Sequence, residues 1–223
     1  IVLLSHLAPV YDDLFDKTNT PKERIVLLLR EPSTQPDNDE ELMFLMFYRP
    51  LFQKMNKKRS FLSCFLKLTD AQENSKKQLI ANTSKEEIRK ITEEKGGCSA
   101  LLLFSLLDAE LKNEKALYQL GACCQYMDDI FDWHDDSIAN RKTIANGLNI
   151  AQLKSFYSQA LVETIDAFDK EFGMLAETLL TPGNICLDFY RKNGVNTIDT
   201  PEERTICDME NIENIRKLIF NLR

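Results

Sequence analysis

The chain has 223 residues, 28 basic and 35 acidic, for a net charge of −7. That length suffices for one sizeable core, so one domain over residues 1–223 is expected. The acidic balance argues against non-specific binding to nucleic acid or to an anionic membrane surface. No run approaches the roughly 20 apolar residues of a membrane span. Six cysteines (Cys64, Cys98, Cys123, Cys124, Cys186 and Cys207) lack zinc-type spacing and read as buried thiols of a cytoplasmic protein.

The chain begins with Ile in an apolar segment, which predicts that something upstream is missing. Residues 1–16 read as a helix kinked at Pro9, with Asp12 and Asp16 four apart on one face. A turn over 17–22 leads into a short helix over 22–30, and the Pro-containing stretch 31–39 reads as a loop. Helix resumes near Glu40, where Leu-Met-Phe-Leu-Met-Phe-Tyr is apolar on nearly every side and predicts a buried wall. Polar residues 54–60 interrupt it, and a helix carrying Asp70, Gln72 and Ser75 follows over 60–81. Thr83 or Ser84 with Glu86 and Glu87 resembles a capping box for a helix running to Lys95, where Gly96-Gly97 predicts a break or kink. The stretch 98–107 is apolar all round, the central helix spans 114–135, and further helices fill 150–180, 184–193 and 201–222. No stretch alternates as a strand does, so the fold class is all-α.

Two acidic clusters stand out: Asp12, Asp13 and Asp16 near the start, and Gln125 to Asp136 on the central helix. At 100° per residue, Leu117, Gly121, Cys124 and Phe131 project within about 60° of Asp128, while Ala122, Cys123, Ile130 and Trp133 make the far side apolar as well. Asp132, Asp135 and Asp136 fall in the same sector or at its edge. Such a helix is normally buried. Inward-facing carboxylates repel and lose hydration, so they must be protonated or neutralised, and an all-carboxylate set favours a hard cation such as Mg²⁺. A solvated charged face is the plain alternative for either cluster taken singly. The shared spelling, Asp-Asp-Leu-Phe-Asp and Asp-Asp-Ile-Phe-Asp, favours a common role.

The pair resembles the two aspartate-rich motifs of class I isoprenoid synthases. Gln125-x-x-Asp128-Asp129-x-x-Asp132 is similar to the second motif of trans-polyprenyl diphosphate synthases, and Lys95-Gly96-Gly97 resembles that family's lysine followed by a small residue. Gln125 with Asp132 and Asp136 also resembles the pattern of squalene and phytoene synthases. Where the prenyl synthases usually carry an arginine pair after the first motif, this chain has Lys22 and Arg24. The resemblance covers roughly residues 1–145 and implies a single antiparallel helical bundle with a central active-site cavity, lacking N-terminal helices. It implies a Mg²⁺-dependent enzyme, with three ions once diphosphate is bound, that ionises an allylic prenyl diphosphate. Prenyl transfer is the first reading; head-to-head condensation and terpene cyclisation are alternatives. The implied metal ligands are Asp12, Asp13, Asp16, Asp128, Asp129, Asp132 and Asp136. Lys22, Arg24, Lys95, Gln125, Arg141 and Lys142 are the implied substrate-binding residues, and Asp12, Asp16, Lys95, Asp128 and Asp132 the catalytic ones. Homodimerisation is implied in the same way.

Lys95 reads equally as a helix C-terminal cation, and Arg141 and Lys142 as a solvated loop pair. Phe44, Phe47, Phe61, Phe65, Phe104 and Phe131 suit either a prenyl tunnel or a plain core. Leu7 and Ala8, one turn before Asp12, occupy positions that resemble the prenyl synthases' chain-length gate, and neither is a bulky aromatic. His6 and His134 lack the Glu-x-x-His spacing of a di-iron bundle, and no Gly-rich phosphate loop is present. A non-catalytic helical partner protein whose acids bind cations or a basic partner is the rival from another class.

Overall fold

A computed structural model describes residues 2–106, 113–168 and 170–192. The described residues are helical, with no strand among them. The elements are α1 (Val2–Asp16), α2 (Lys22–Arg30), α3 (Asp39–Lys54), α4 (Lys58–Ser75), α5 (Lys85–Leu106), α6 (Glu114–Phe131), α7 (Trp133–Ile138), α8 (Ile150–Asp166) and α9 (Lys170–Lys192). Short 3₁₀ turns at Lys76–Leu79 and Ala145–Gly147 join them. The expected helix over 201–222 and Cys207 lie outside the described residues. Among those described, Cys64, Cys123 and Cys124 are free thiols, Cys98 and Cys186 are buried, and no helix is long and apolar enough to cross a membrane.

The described residues pack as two compact units, one within residues 1–76 and 98–114, the other within 77–97 and 115–192. In the first, α1 packs on α3 and α2 on α4. Their apolar stripes bury Leu7, Tyr11 and Leu14 of α1 with Phe44 and Tyr48 of α3 and Phe61 and Phe65 of α4. The rings meet edge-on or stacked, with Tyr11 and Phe65 centroids 4.9 Å apart and Phe44 and Tyr48 5.2 Å apart, the offsets that ring quadrupoles favour. Each buried hydroxyl has a partner: Tyr11 donates to Thr69 Oγ1 at 2.9 Å and Tyr48 to the Leu29 carbonyl at 2.7 Å. Phe44, Phe61 and Phe65 are thus packed in this core. α3 is not the wall expected from its composition, since Leu42, Met43 and Met46 are 42, 46 and 62% exposed. Its Phe44, Leu45 and Tyr48 stripe is the part that is fully buried. α1 runs through Pro9 as one helix.

A buried ion pair joins α2 to α3. Glu41, 1% exposed, accepts from Arg24 Nε at 3.0 Å and Nη2 at 2.6 Å and from the Asp37 N–H at 2.8 Å. Burial alone would push its carboxyl up; the Arg24 hydrogen bonds and the Asp37 N–H outweigh that and hold it below the ordinary carboxylate range. Asn38 caps α3 by accepting from the Glu41 N–H at 2.8 Å.

In the second unit α8 packs on α9. Tyr157 donates to the Leu180 carbonyl at 2.5 Å, and a Cβ at Gly183 would lie 2.6 Å from the Tyr157 ring. α9 continues through Pro182 and Gly183, where the sequence suggested two helices. Ser84 begins α5 by accepting from the Glu87 N–H at 3.1 Å, as the capping pattern predicts. The expected break at Gly96-Gly97 does not occur, and α5 runs on to Leu106. These glycines serve a close approach instead. A Cβ at Gly96 would sit 2.2 Å from the Gly121 carbonyl oxygen and 2.7 Å from Gln125 Cβ; one at Gly97 would sit 2.4 Å from the Tyr118 ring. Contact therefore selects glycine here despite its helix cost of about 1 kcal/mol.

Gly96→Ala tests that contact, because propensity and packing oppose each other. In an open helix the change stabilises by about 1 kcal/mol, whereas overpacking costs about 1–3 kcal/mol. With a backbone oxygen in the way, the urea midpoint is expected to fall and the unfolding slope to stay constant. A higher midpoint would show that α5 and α6 meet less closely.

Candidate functional site

The acidic residues of α6 and α7 follow a four-residue step. Asp132 interrupts the helix between them, with φ −97° and ψ 5°. Hydrogen bonding nonetheless continues from Asp132 N to Asp128 O and from Asp136 N to Asp132 O, both at 2.9 Å. Asp128, Asp132 and Asp136 therefore stay in one lane and line one small polar cavity of about 40 Å³. Gln125, one turn earlier, lines it too, and donates from Nε2 to Asp128 at 2.7 Å. Lys95 and Thr92 of α5 enter from the neighbouring helix, and Arg141, Thr143 and Gln78 complete the wall. A void of this size suits an ion or a water molecule rather than a hydrocarbon chain.

Burial along the lane is uneven. Asp129 is 5% exposed and accepts from the Ile144 N–H and the Thr92 hydroxyl, both at 3.3 Å. Burial raises its carboxyl to about 7; the Ile144 N–H opposes the rise, Asp128 and Asp136 reinforce it, and Lys95 opposes it. Burial likewise raises Asp136 to about 6, against the pull of Arg141 at 3.7 Å. Asp128 is exposed and Asp132 half-buried, so the helical projection, which set Asp128 among buried neighbours, gives the wrong depth order. Asp135 is exposed and does not line the cavity. The cause is local: Asp129 meets the 142–148 segment, whereas Asp128 stands on the solvent side of the cavity.

No family model matches the chain, and no curated protein matches its sequence.

Other residues implied by the resemblance are placed as follows. Arg141 lines the acidic cavity. Lys142 does not: its backbone N–H donates to the Gln78 carbonyl at 2.9 Å and its ammonium to the Ala81 carbonyl. In the first unit, Asp12 accepts from Gln72 Nε2 at 2.5 Å, Asp13 pairs with Lys17 at 2.8 Å, and Asp16 is exposed. Lys22 pairs with Asp70 at 2.6 Å. Arg24 is committed to Glu41, to Asp37 at 3.1 Å and to the Gln35 carbonyl at 2.7 Å.

The residues present match a hard divalent cation in donor chemistry, since carboxylates dominate the cavity and no thiolate lines it. Among the described residues, however, no three histidine, cysteine or acidic side chains are gathered as a metal-holding group. Asp128, Asp132 and Asp136 are the side chains that would close on an ion, with Asp128 exchanging its Gln125 partner for it. Sequence reasoning missed Thr92, Gln78 and Thr143. Thr92 precedes Lys95 by one helical turn, a signal that places the two on one face; nothing in the sequence marks Gln78.

Asp129 also gives the protein a pH dependence of definite sign. A carboxyl raised to about 7 binds its proton more tightly in the folded chain than in the unfolded one. Its stabilising contribution is complete below about pH 4 and is lost as pH rises towards 7. In EDTA, the wild-type unfolding free energy is expected to fall relative to Asp129→Asn by on the order of a few kcal/mol between pH 4 and 8. Parallel profiles for the two proteins, followed by chemical denaturation, would contradict a burial-raised Asp129.

Proposed function

We propose that the protein is a Mg²⁺-dependent class I isoprenoid synthase that ionises an allylic prenyl diphosphate, with prenyl transfer as its reaction. The supporting observation is the convergence of Gln125, Asp128, Asp132 and Asp136 with the cations Lys95 and Arg141 on one cavity. That is the mixture of charges that the metal-bound end of a diphosphate requires, in a space that suits an ion, and Gln125, Asp128 and Asp132 have the spacing that resembles the family's second motif. Bound Mg²⁺ would supply charge stabilisation to the departing diphosphate. Lys95 and Arg141 bind its oxygens, and Gln125 orients Asp128. The allylic C–O bond breaks with its electron pair leaving on the diphosphate. The carbon cation is then captured by the double bond of a homoallylic diphosphate, and the resulting cation loses a proton to the departed diphosphate. Asp129, held by the Ile144 N–H and Thr92, acts as a positioning residue for the 142–148 wall.

A second reading draws on the same cavity. Gln125, Asp132 and Asp136 all line it, and theirs is the spacing that resembles head-to-head synthases. Asp132 belongs to both readings.

The test is pyrophosphate release from geranyl, farnesyl or geranylgeranyl diphosphate, with and without isopentenyl diphosphate, in Mg²⁺ or EDTA. Prenyl transfer requires release that depends on Mg²⁺ and on isopentenyl diphosphate. Asp132→Asn is expected to lower it by on the order of 100-fold or more, the scale seen when one charge-stabilising group is removed. Release without isopentenyl diphosphate would favour head-to-head condensation or cyclisation. No release in any arm would favour a non-catalytic helical partner protein.

A further inference from the structure

The second unit contains another cavity, of about 430 Å³, within the size range of small-molecule sites. It lies between the first turns of α5, the 142–148 segment and Phe156 of α8. Its body is apolar: Ile88 and Ile144 are 4 and 9% exposed, and Leu148 and Phe156 join them. Three cations, Lys85, Arg89 and Lys142, line it against one acid, Glu86. Arg89 lies 5.2 Å over the Phe156 ring, which holds its guanidinium beside the apolar surface. Lys85 reaches across to the Gly147 carbonyl at 2.8 Å. A further polar group faces this region: Thr143 is 3% exposed, lines the cavity, and its buried Oγ1 has no hydrogen-bond partner. A hydroxyl so buried costs free energy unless a ligand or water completes it.

We propose that this cavity is a binding site for an anionic amphiphile, a small molecule with an apolar body and a phosphate or carboxylate head. The body lies on Ile88, Leu148 and Phe156. Lys85 neutralises the head, Arg89 stands beside it while paired with Glu93 at 2.7 Å, and Thr143 Oγ1 supplies a hydrogen bond. With Arg89 paired to Glu93, Lys85 and Lys142 still outnumber Glu86 on the wall, which favours an anionic over a cationic ligand, and the apolar floor gives a bare inorganic anion no advantage. The site is distinct from the acidic cavity and does not rest on the isoprenoid synthase reading, although the two share a wall: Thr143 lines both, and the Ile144 N–H holds Asp129.

Isothermal titration of the full chain in EDTA with decyl phosphate, decanoate, decanol and inorganic phosphate tests the proposal. Decyl phosphate or decanoate, below its micellar concentration, is expected to bind at one site, and decanol and inorganic phosphate at least about tenfold more weakly, the value of one charge-assisted hydrogen bond. Gly147 lines the cavity and a Cβ there meets nothing within 4 Å, so a side chain at this position begins in open space and Gly147→Leu is expected to weaken binding. Lys85→Gln and Thr143→Val remove the charge and the hydroxyl separately and should each weaken it, with unfolding midpoints recorded alongside. Asp132→Asn should leave decyl phosphate affinity unchanged. Binding that needs Mg²⁺ and disappears in Asp132→Asn would assign the anion to the acidic cavity and overturn the proposal. So would equal affinity for decanol, indifference to Lys85→Gln, or no binding of either anion. Failure of the synthase assay leaves all these outcomes unaltered, because none of them uses turnover.

Discussion

The approach of α5 to α6 at Gly96 and Gly121 is the constraint on which the acidic cavity depends. With a backbone oxygen 2.2 Å from where a side chain would begin, only glycine lets the helices come this near. The consequence is chemical as well as steric. Lys95, adjacent to the contact, and Thr92, one turn earlier, are brought to the polar end of α6. The Thr92 hydroxyl reaches Asp129, and Glu93 accepts from the Tyr126 hydroxyl at 2.5 Å while pairing with Arg89 at 2.7 Å. Close backbone packing thus supplies hydrogen bonds and positive charge to a run of acids that would otherwise only repel one another.

That compensation is partial, and its shortfall is informative. Carboxyls at Asp129 and Asp136 are both raised, chiefly by burial and further by their acidic neighbours. Lys95 and Arg141 offset the effect without cancelling it. A site in this condition favours whatever brings further positive charge, a proton or a cation. Asp129 differs from the rest of the lane because its oxygen is already engaged by the Ile144 N–H and Thr92, which ties the 142–148 segment to α6. The same segment closes the apolar cavity on its other side, so two chemically opposite spaces share one short stretch of backbone.

The first unit handles charge differently. Glu41 is almost fully buried, but it receives two nitrogens of Arg24 and a backbone N–H, enough to keep it ionised. A buried pair of this kind is costly to break, since one partner left alone keeps its desolvation penalty. Asp12 and Asp13 are engaged locally with Gln72 and Lys17. Identical spelling in the two acidic clusters therefore coexists with different surroundings, a shared raised-carboxyl cavity in one and side-chain pairing in the other.

What the sequence by itself determined is the all-α class, most helix starts and the four-residue step of Asp128, Asp132 and Asp136. Periodicity and capping are local properties, and a helical step survives even the interruption at Asp132 because its hydrogen bonds continue. Depth was not legible in this way. Projection around α6 treats the helix as uniformly enclosed, whereas burial depends on which segment lies opposite, and only the folded chain sets Asp129 against Ile144 and leaves Asp128 and Asp135 exposed. Gly96-Gly97 shows the same division. Read alone, two glycines signal a break; in the fold they are the residues small enough for Gly121 and Tyr118 to lie against them, and the helix continues because packing outweighs propensity. Tertiary structure likewise decided that Arg141 joins the acids while Lys142 turns to Ala81, since adjacent residues project in different directions and only their neighbours determine which one meets the site.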